Sequence, residues 1–153
     1  MRKFVLSLAG VGFLPGAPGT YATIVTLALF LAGVHFGAPL RVWPVAAVLS
    51  GALLLLVGIP PDPAGGRSDP RWCVLDEVSG TFVAVTSWHP AHSPFLTALA
   101  ALVFFRLFDV LKPPPINLLE RLPGSVGVLA DDLGAGVLAN VCIVLLGLVV
   151  PQL

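Results

Sequence analysis

The stretch Gly127–Val150, GVLADDLGAGVLANVCIVLLGLVV, decides the fold. From Val128 to Val150 it is long and apolar enough to cross a membrane, which takes about 20 such residues. Its only charges are Asp131 and Asp132, close to its start. An ionised side chain near hydrocarbon costs roughly 2.5–3.5 kcal/mol on insertion scales, so two together need a compensating partner. The pattern recurs upstream. Asp76 and Glu77 stand in VLDEVSGTFVAV, and Asp109 stands in FFRLFDVLKPPPI. Five of the eight acids thus lie in or beside apolar runs.

The chain has 153 residues, of which 57% are hydrophobic and 10% charged. A soluble domain carries about 25% charged residues. The composition predicts one all-α, polytopic membrane domain, 1–153. Four more spans follow from the apolar runs Thr20–Phe36, Val42–Ile59, Cys73–Trp88 and Phe95–Leu111, giving about five transmembrane helices. Phe4–Leu14 is too short to cross and reads as an N-terminal interfacial segment. Gly and Pro between Gly12 and Gly19 break the first apolar stretch, so no cleavable signal peptide is expected. Asp62–Arg71 is a polar break, and Asn117–Gly127 an amphipathic connector. Net charge is zero, with no basic stripe, which excludes nucleic acid as a partner. Cys73 and Cys142 form no metal-binding spacing and read as small buried hydrophobes. The oligomeric state is not encoded in any feature of the chain.

Charge asymmetry orients the spans. Five spans place Arg2, Lys3, Arg67, Arg71, Lys112 and Arg121 on one side and Arg41 on the other, which makes the first side cytoplasmic. His35, His89 and His92 map to the far side, as loop residues. Trp43, Trp72 and Trp88 map near span ends, as an aromatic belt. The same topology brings the acid-bearing motifs and the turn before the first span to the cytoplasmic face, although they played no part in choosing it.

Four constellations carry the chemistry. Arg106, Asp109 and Lys112 recur at i, i+3 and i+6 and share one helix face, a cation–anion–cation row suited to a phosphate beside a metal. An internal ion pair with a snorkelling lysine is the plainer alternative. Asp76 and Glu77 point about 100° apart on a helix, so one could bind metal while the other acts as base. Gly80, on the following turn, leaves room for a neighbouring helix. Asp131 and Asp132 complete a set of five carboxylates, which suits a hard cation such as Mg²⁺. The alternative is that the acid pairs mark helix N-terminal turns, where the dipole favours negative charge. Finally, GFLPGAPGT (Gly12–Thr20) turns into a helix start, where the backbone N–H groups around Gly19 and the Thr20 hydroxyl can hold an anion.

Together the four blocks GFLPGAPGT, DP-x4-LDEVSG, FRLFDVLKPPPI and GVLADDLGAG resemble the phosphatidylglycerophosphatase A family, in the same order from Gly12 to Gly136. The resemblance implies a Mg²⁺-dependent lipid phosphatase of the bacterial inner membrane, with its site facing the cytoplasm. Such an enzyme hydrolyses phosphatidylglycerophosphate to phosphatidylglycerol and phosphate. Asp76, Glu77, Arg106, Asp109, Lys112, Asp131 and Asp132 match the family's polar motif positions. The resemblance therefore implies catalytic and metal roles for the five acids. Arg106, Lys112, Gly19 and Thr20 are the expected phosphate-binding residues.

Rival mechanisms fail on the sequence. A cysteine-nucleophile phosphatase needs Arg six positions after Cys, but Ser79 follows Cys73 and Leu148 follows Cys142 at that spacing. The motifs contain no histidine nucleophile and no DxDx(T/V) loop. Metal-assisted attack by water remains. One of Asp76, Glu77 or Asp132 could be the base. A cation- or proton-coupled transporter is the alternative from another class, since it too uses intramembrane carboxylates.

Overall fold

The protein exposes large apolar side chains and buries a set of polar ones within its apolar core. Tyr21, Ile24, Val48, Leu56, Leu99, Val103, Leu145 and Leu148 are exposed, whereas Thr23, Thr26, Asp76, Ser79, Thr81, Asp131 and Asp132 are buried. Water would favour the reverse arrangement, and hydrocarbon favours this one. The structure, a computed structural model, describes residues 1–60 and 70–150. Most of the Asp62–Arg71 break, including Arg67 and Asp69, lies outside the described residues.

Among the described residues the fold is all-helical. The helices are α1 (Arg2–Leu6), α2 (Pro18–His35), α3 (Val42–Val57), α4 (Leu75–Ala84), α5 (Pro94–Leu111), α6 (Ile116–Leu119) and α7 (Gly124–Val149), with a 3₁₀ turn at Val11–Phe13. Pro18 and Pro94 open α2 and α5 at first-turn positions, where the missing N–H costs nothing. Ser93 caps α5 by accepting the Leu96 N–H. Inside the bundle, hydroxyls turn back on their own helices. Thr23 donates to the Gly19 carbonyl and Thr26 to that of Ala22, while Ser79 on α4 donates to Leu75 and bonds Ser50 on α3. These four hydroxyls are paired, whereas that of Thr81 is buried without a partner.

The expectation of five transmembrane helices is corrected. Among the described residues three helices, α2, α5 and α7, are long and apolar enough to cross a membrane. The run Val42–Ile59 yields 16 residues in α3, and Cys73–Trp88 yields only 10 in α4. Ten residues rise about 15 Å, half of a hydrocarbon core. The physical reason is the polar end built into α4. Asn140 of α7 donates its Nδ2 to the Ala84 carbonyl at 3.0 Å, and Ser87 donates to Asn140 Oδ1 at 2.8 Å. These bonds stand in for the next helical turn. α4 is instead the buried centre of the bundle, packed chiefly against α7 and α3.

The last helix also starts earlier than the apolar run suggests. Part of the expected connector is α6, and its end, from Gly124, is the first turn of α7. The acids Asp131 and Asp132 thus lie two turns into α7, away from the N-terminal charge of its dipole. Trp43 is not a belt residue. It is buried against Phe30, with centroids 4.9 Å apart, and stacks near Phe82. The N-terminal segment packs on one end of the bundle. Val74 N–H donates to the Leu6 carbonyl at 2.9 Å and Arg2 donates to the Gly58 carbonyl, while Phe4, Phe13 and Leu14 stay exposed.

Candidate active site

Two glycines build the site by letting α4 and α7 cross closely. A Cβ on Gly136 would strike the Gly80 backbone. One on Gly80 would stand 2.5 Å from the Asp132 carbonyl oxygen and 2.6 Å from the Phe105 ring. The absence of both side chains allows the approach. It carries Asp132 on α7 to Asp76 and Glu77 in the first turn of α4. One carboxylate oxygen from each of these three residues lies within 4.8 Å of the others.

Asp76 and Asp132 are buried, and Glu77 is half-buried. Asp76 Oδ1, Glu77 Oε2 and Asp132 Oδ2 are each buried without a hydrogen-bond partner. An orphaned buried oxygen costs roughly 1–3 kcal/mol, and more if charged. Three acids that gather within reach of one another, each with such an oxygen, suit a shared cation. All the donors are carboxylate oxygens, so the set fits a hard divalent ion such as Mg²⁺ rather than zinc.

A cation stands beside the acids. On α5, Arg106 Nη1 lies 2.5 Å from Asp109 Oδ2, one turn away. The contact is electrostatic rather than an aligned hydrogen bond, because Nη1 is buried with no acceptor in line. The Asp109 carboxylate also acts on that of Asp132 through its charge, so Asp109 lies between Arg106 and the three-acid cluster without belonging to the cluster. α2 closes this side. A Cβ on Gly19 would fall on Glu77 Oε1 and 3.0 Å from Arg106 Nη1, so a side chain there would displace one of them. Because α2 starts at Pro18, the amides of Gly19 and Thr20 belong to its first turn, where N–H groups have no helical partner. Thr20 is the third residue of α2; the capping position is Ala17.

Two expected members stand elsewhere. Lys112 does not continue the Arg106–Asp109 row. α5 ends at Leu111, and Lys112, with φ 44° and ψ 57°, turns out of it. Its Nζ lies 2.5 Å from Asp131 Oδ2 and 3.1 Å from Glu120 Oε1. Burial works against the Lys112 ammonium, but hydrogen bonds and charge from Asp131 and Glu120 outweigh it and raise its pKa above the ordinary lysine value. Asp131 is therefore engaged with Lys112 and lies outside the cluster formed by its neighbour. Adjacent helical residues diverge by about 100°, so Asp132 meets α4 while Asp131 meets Lys112. Two polar residues escaped the sequence reading. Glu120 could have been suspected as a partner for Lys112 across Pro113-Pro114-Pro115. Asn140, a lone amide in an apolar run, could have been suspected as a cap.

Residues 4–147 match the family model of phosphatidylglycerophosphatase A. A Bacteroides thetaiotaomicron protein provisionally named phosphatidylinositol-3-phosphatase is 31% identical over 140 residues, covering 88% of this chain and 86% of its own. A Haemophilus influenzae phosphatidylglycerophosphatase A is 33% identical over 79 residues, covering 51% of this chain and 47% of its own. No solved structure matches.

Proposed function

The chain belongs to the phosphatidylglycerophosphatase A family, and from that premise we propose that it hydrolyses phosphatidylglycerophosphate to phosphatidylglycerol and phosphate in a Mg²⁺-dependent reaction. We place it in a bacterial inner membrane with the site facing the cytoplasm. The observation that carries the proposal is the gathering of three acids, each with one orphaned carboxylate oxygen, beside a guanidinium with a buried, unaligned N–H.

Asp76, Glu77 and Asp132 would hold the ion. When bound, it neutralises phosphoryl charge and lowers the pKa of a coordinated water. Arg106, with the amides of Gly19 and Thr20, would grip the phosphoryl oxygens and stabilise the charge they gain in the transition state. Asp109 fixes the guanidinium. Lys112 and Glu120 hold Asp131 and brace α7 at the depth that presents Asp132. Glu77 faces Gly19 and the phosphate position, and we assign it as the acceptor of the attacking water's proton. The water oxygen bonds to phosphorus, the P–O ester bond breaks, and the departing glycerol oxygen takes the proton that Glu77 accepted, which leaves an alcohol, inorganic phosphate and an ionised Glu77.

The test is phosphate release from phosphatidylglycerophosphate by the purified protein, with Mg²⁺ and with EDTA. Phosphatidylinositol 3-phosphate serves as a parallel substrate, because the Bacteroides relative is named for that phosphomonoester. Metal-dependent release from phosphatidylglycerophosphate supports the proposal. Release from the inositide alone would reassign the substrate. Carboxylate-dependent ion flux in vesicles without phosphate release would favour the transporter.

A further inference from the structure

A groove of about 240 Å³ runs between α2 and α5 on the lipid-facing surface, lined by Ile24, Leu27, Leu31, Phe95, Leu99 and Leu102. Its position follows from two helical stripes that include the site. Thr20, Ile24, Leu27 and Leu31 are spaced 4, 3 and 4 along α2. Phe95, Leu99, Leu102, Arg106 and Asp109 are spaced 4, 3, 4 and 3 along α5. Such spacings keep residues on one helix face. The groove therefore ends, one turn beyond Ile24 and Leu102, at Thr20 and Arg106. The contact of Gly19 with Arg106 shows that the two helices are still together there.

We infer that this groove seats an acyl chain of the same phospholipid molecule whose phosphate is held at Arg106, an inference that rests on the function proposed above. Three observations select this occupant. First, from Thr20 to Leu31, or Arg106 to Phe95, the seam rises about 16 Å, close to one leaflet of a hydrocarbon core roughly 30 Å thick. Second, Ile24, Phe95 and Leu99 are 47%, 64% and 50% exposed, so the groove is open sideways and a lipid can enter without leaving the bilayer. Third, the α5 stripe ends on the partly exposed residues of the site: the Arg106 and Asp109 side chains are 22% and 14% exposed, whereas Asp76 and Asp132 are at most 5% exposed. A chain attached to a phosphate at Arg106 thus has the α2–α5 seam directly below it.

The experiment compares dihexanoyl and dipalmitoyl phosphatidylglycerophosphate in mixed micelles with Mg²⁺. Ala28→Phe fills the groove from an exposed position on α2. It should raise KM for the dipalmitoyl substrate about tenfold, the scale of losing a few buried methylenes, and leave the dihexanoyl substrate unaffected. Leu99→Trp, which fills the groove from α5, should repeat the pattern. Val48→Phe, on the exposed face of α3, should change neither. An unchanged KM for the long substrate in both groove variants, or an equal rise for both substrates, would overturn the inference while leaving the proposed activity intact. Wild-type protein inactive on both chain lengths would remove the proposed activity, and the inference with it.

Discussion

Gly80→Ala puts one methyl group at the closest approach of α4 and α7. Ordinary contact begins at 3.4 Å, whereas the new Cβ would stand 2.5 Å from the Asp132 carbonyl oxygen, so the helices must part locally by about 0.9 Å. A backbone oxygen has no rotamer through which to escape. Overpacking of this kind costs about 1–3 kcal/mol, and replacing Gly by Ala inside a helix returns about 1 kcal/mol. The expected net loss of stability is therefore small, about 0–2 kcal/mol. The effect on chemistry is larger. The parting separates Asp132 from Asp76 and Glu77, and a misplacement of about 1 Å can lower turnover on the order of 10²-fold. Gly136→Ala meets the Gly80 backbone from the other side and should behave alike. Gly134→Ala is the control. Its Cβ would meet Leu119 Cδ1 at 2.9 Å and Ile116 Cγ1 at 3.4 Å, both side-chain atoms that can move. The assay is phosphate release beside a thermal melt in detergent. Gly80→Ala and Gly136→Ala as active as Gly134→Ala would refute the claim that this crossing assembles the site.

Further outcomes follow from the same geometry. Asp76→Asn and Asp132→Asn should each lower kcat about 10²-fold or more with the fold retained, the scale of losing one electrostatic stabiliser. Asp131→Asn should act chiefly on stability, because its partner is Lys112, and a thermal melt would move more than kcat. Arg106→Lys keeps the charge but loses the planar fork, so KM and kcat should both suffer in steady-state assays. Asn140→Ala leaves the Ala84 carbonyl without its donor and should cost about 1–3 kcal/mol by denaturation. With Cys73 and Cys142 replaced, cysteines at Lys3 and His92 should label from opposite faces of the membrane; labelling from one face would overturn the orientation.

Much of this protein is legible in the sequence because hydrocarbon and charge are local signals. Long apolar runs can satisfy their backbone only as helices, so α2, α5 and α7 were visible without coordinates. The acids within them stood out because each is costly there. Order and spacing of the four blocks were enough to identify the family. The length of α4 was hidden, since a run of 16 apolar residues does not reveal that Asn140, more than 50 positions later, will donate to the carbonyl at its end. The division of labour between Asp131 and Asp132 was hidden as well. As a pair they are chemically identical, and only the left-handed turn at Lys112 and the glycine crossing at Gly80 and Gly136 aim one at a lysine and the other at α4. Residue type determined which groups must be neutralised in a low-dielectric interior. The tertiary structure alone decided which group neutralises which, because pairing depends on distances of a few ångströms between segments that composition and periodicity leave unrelated.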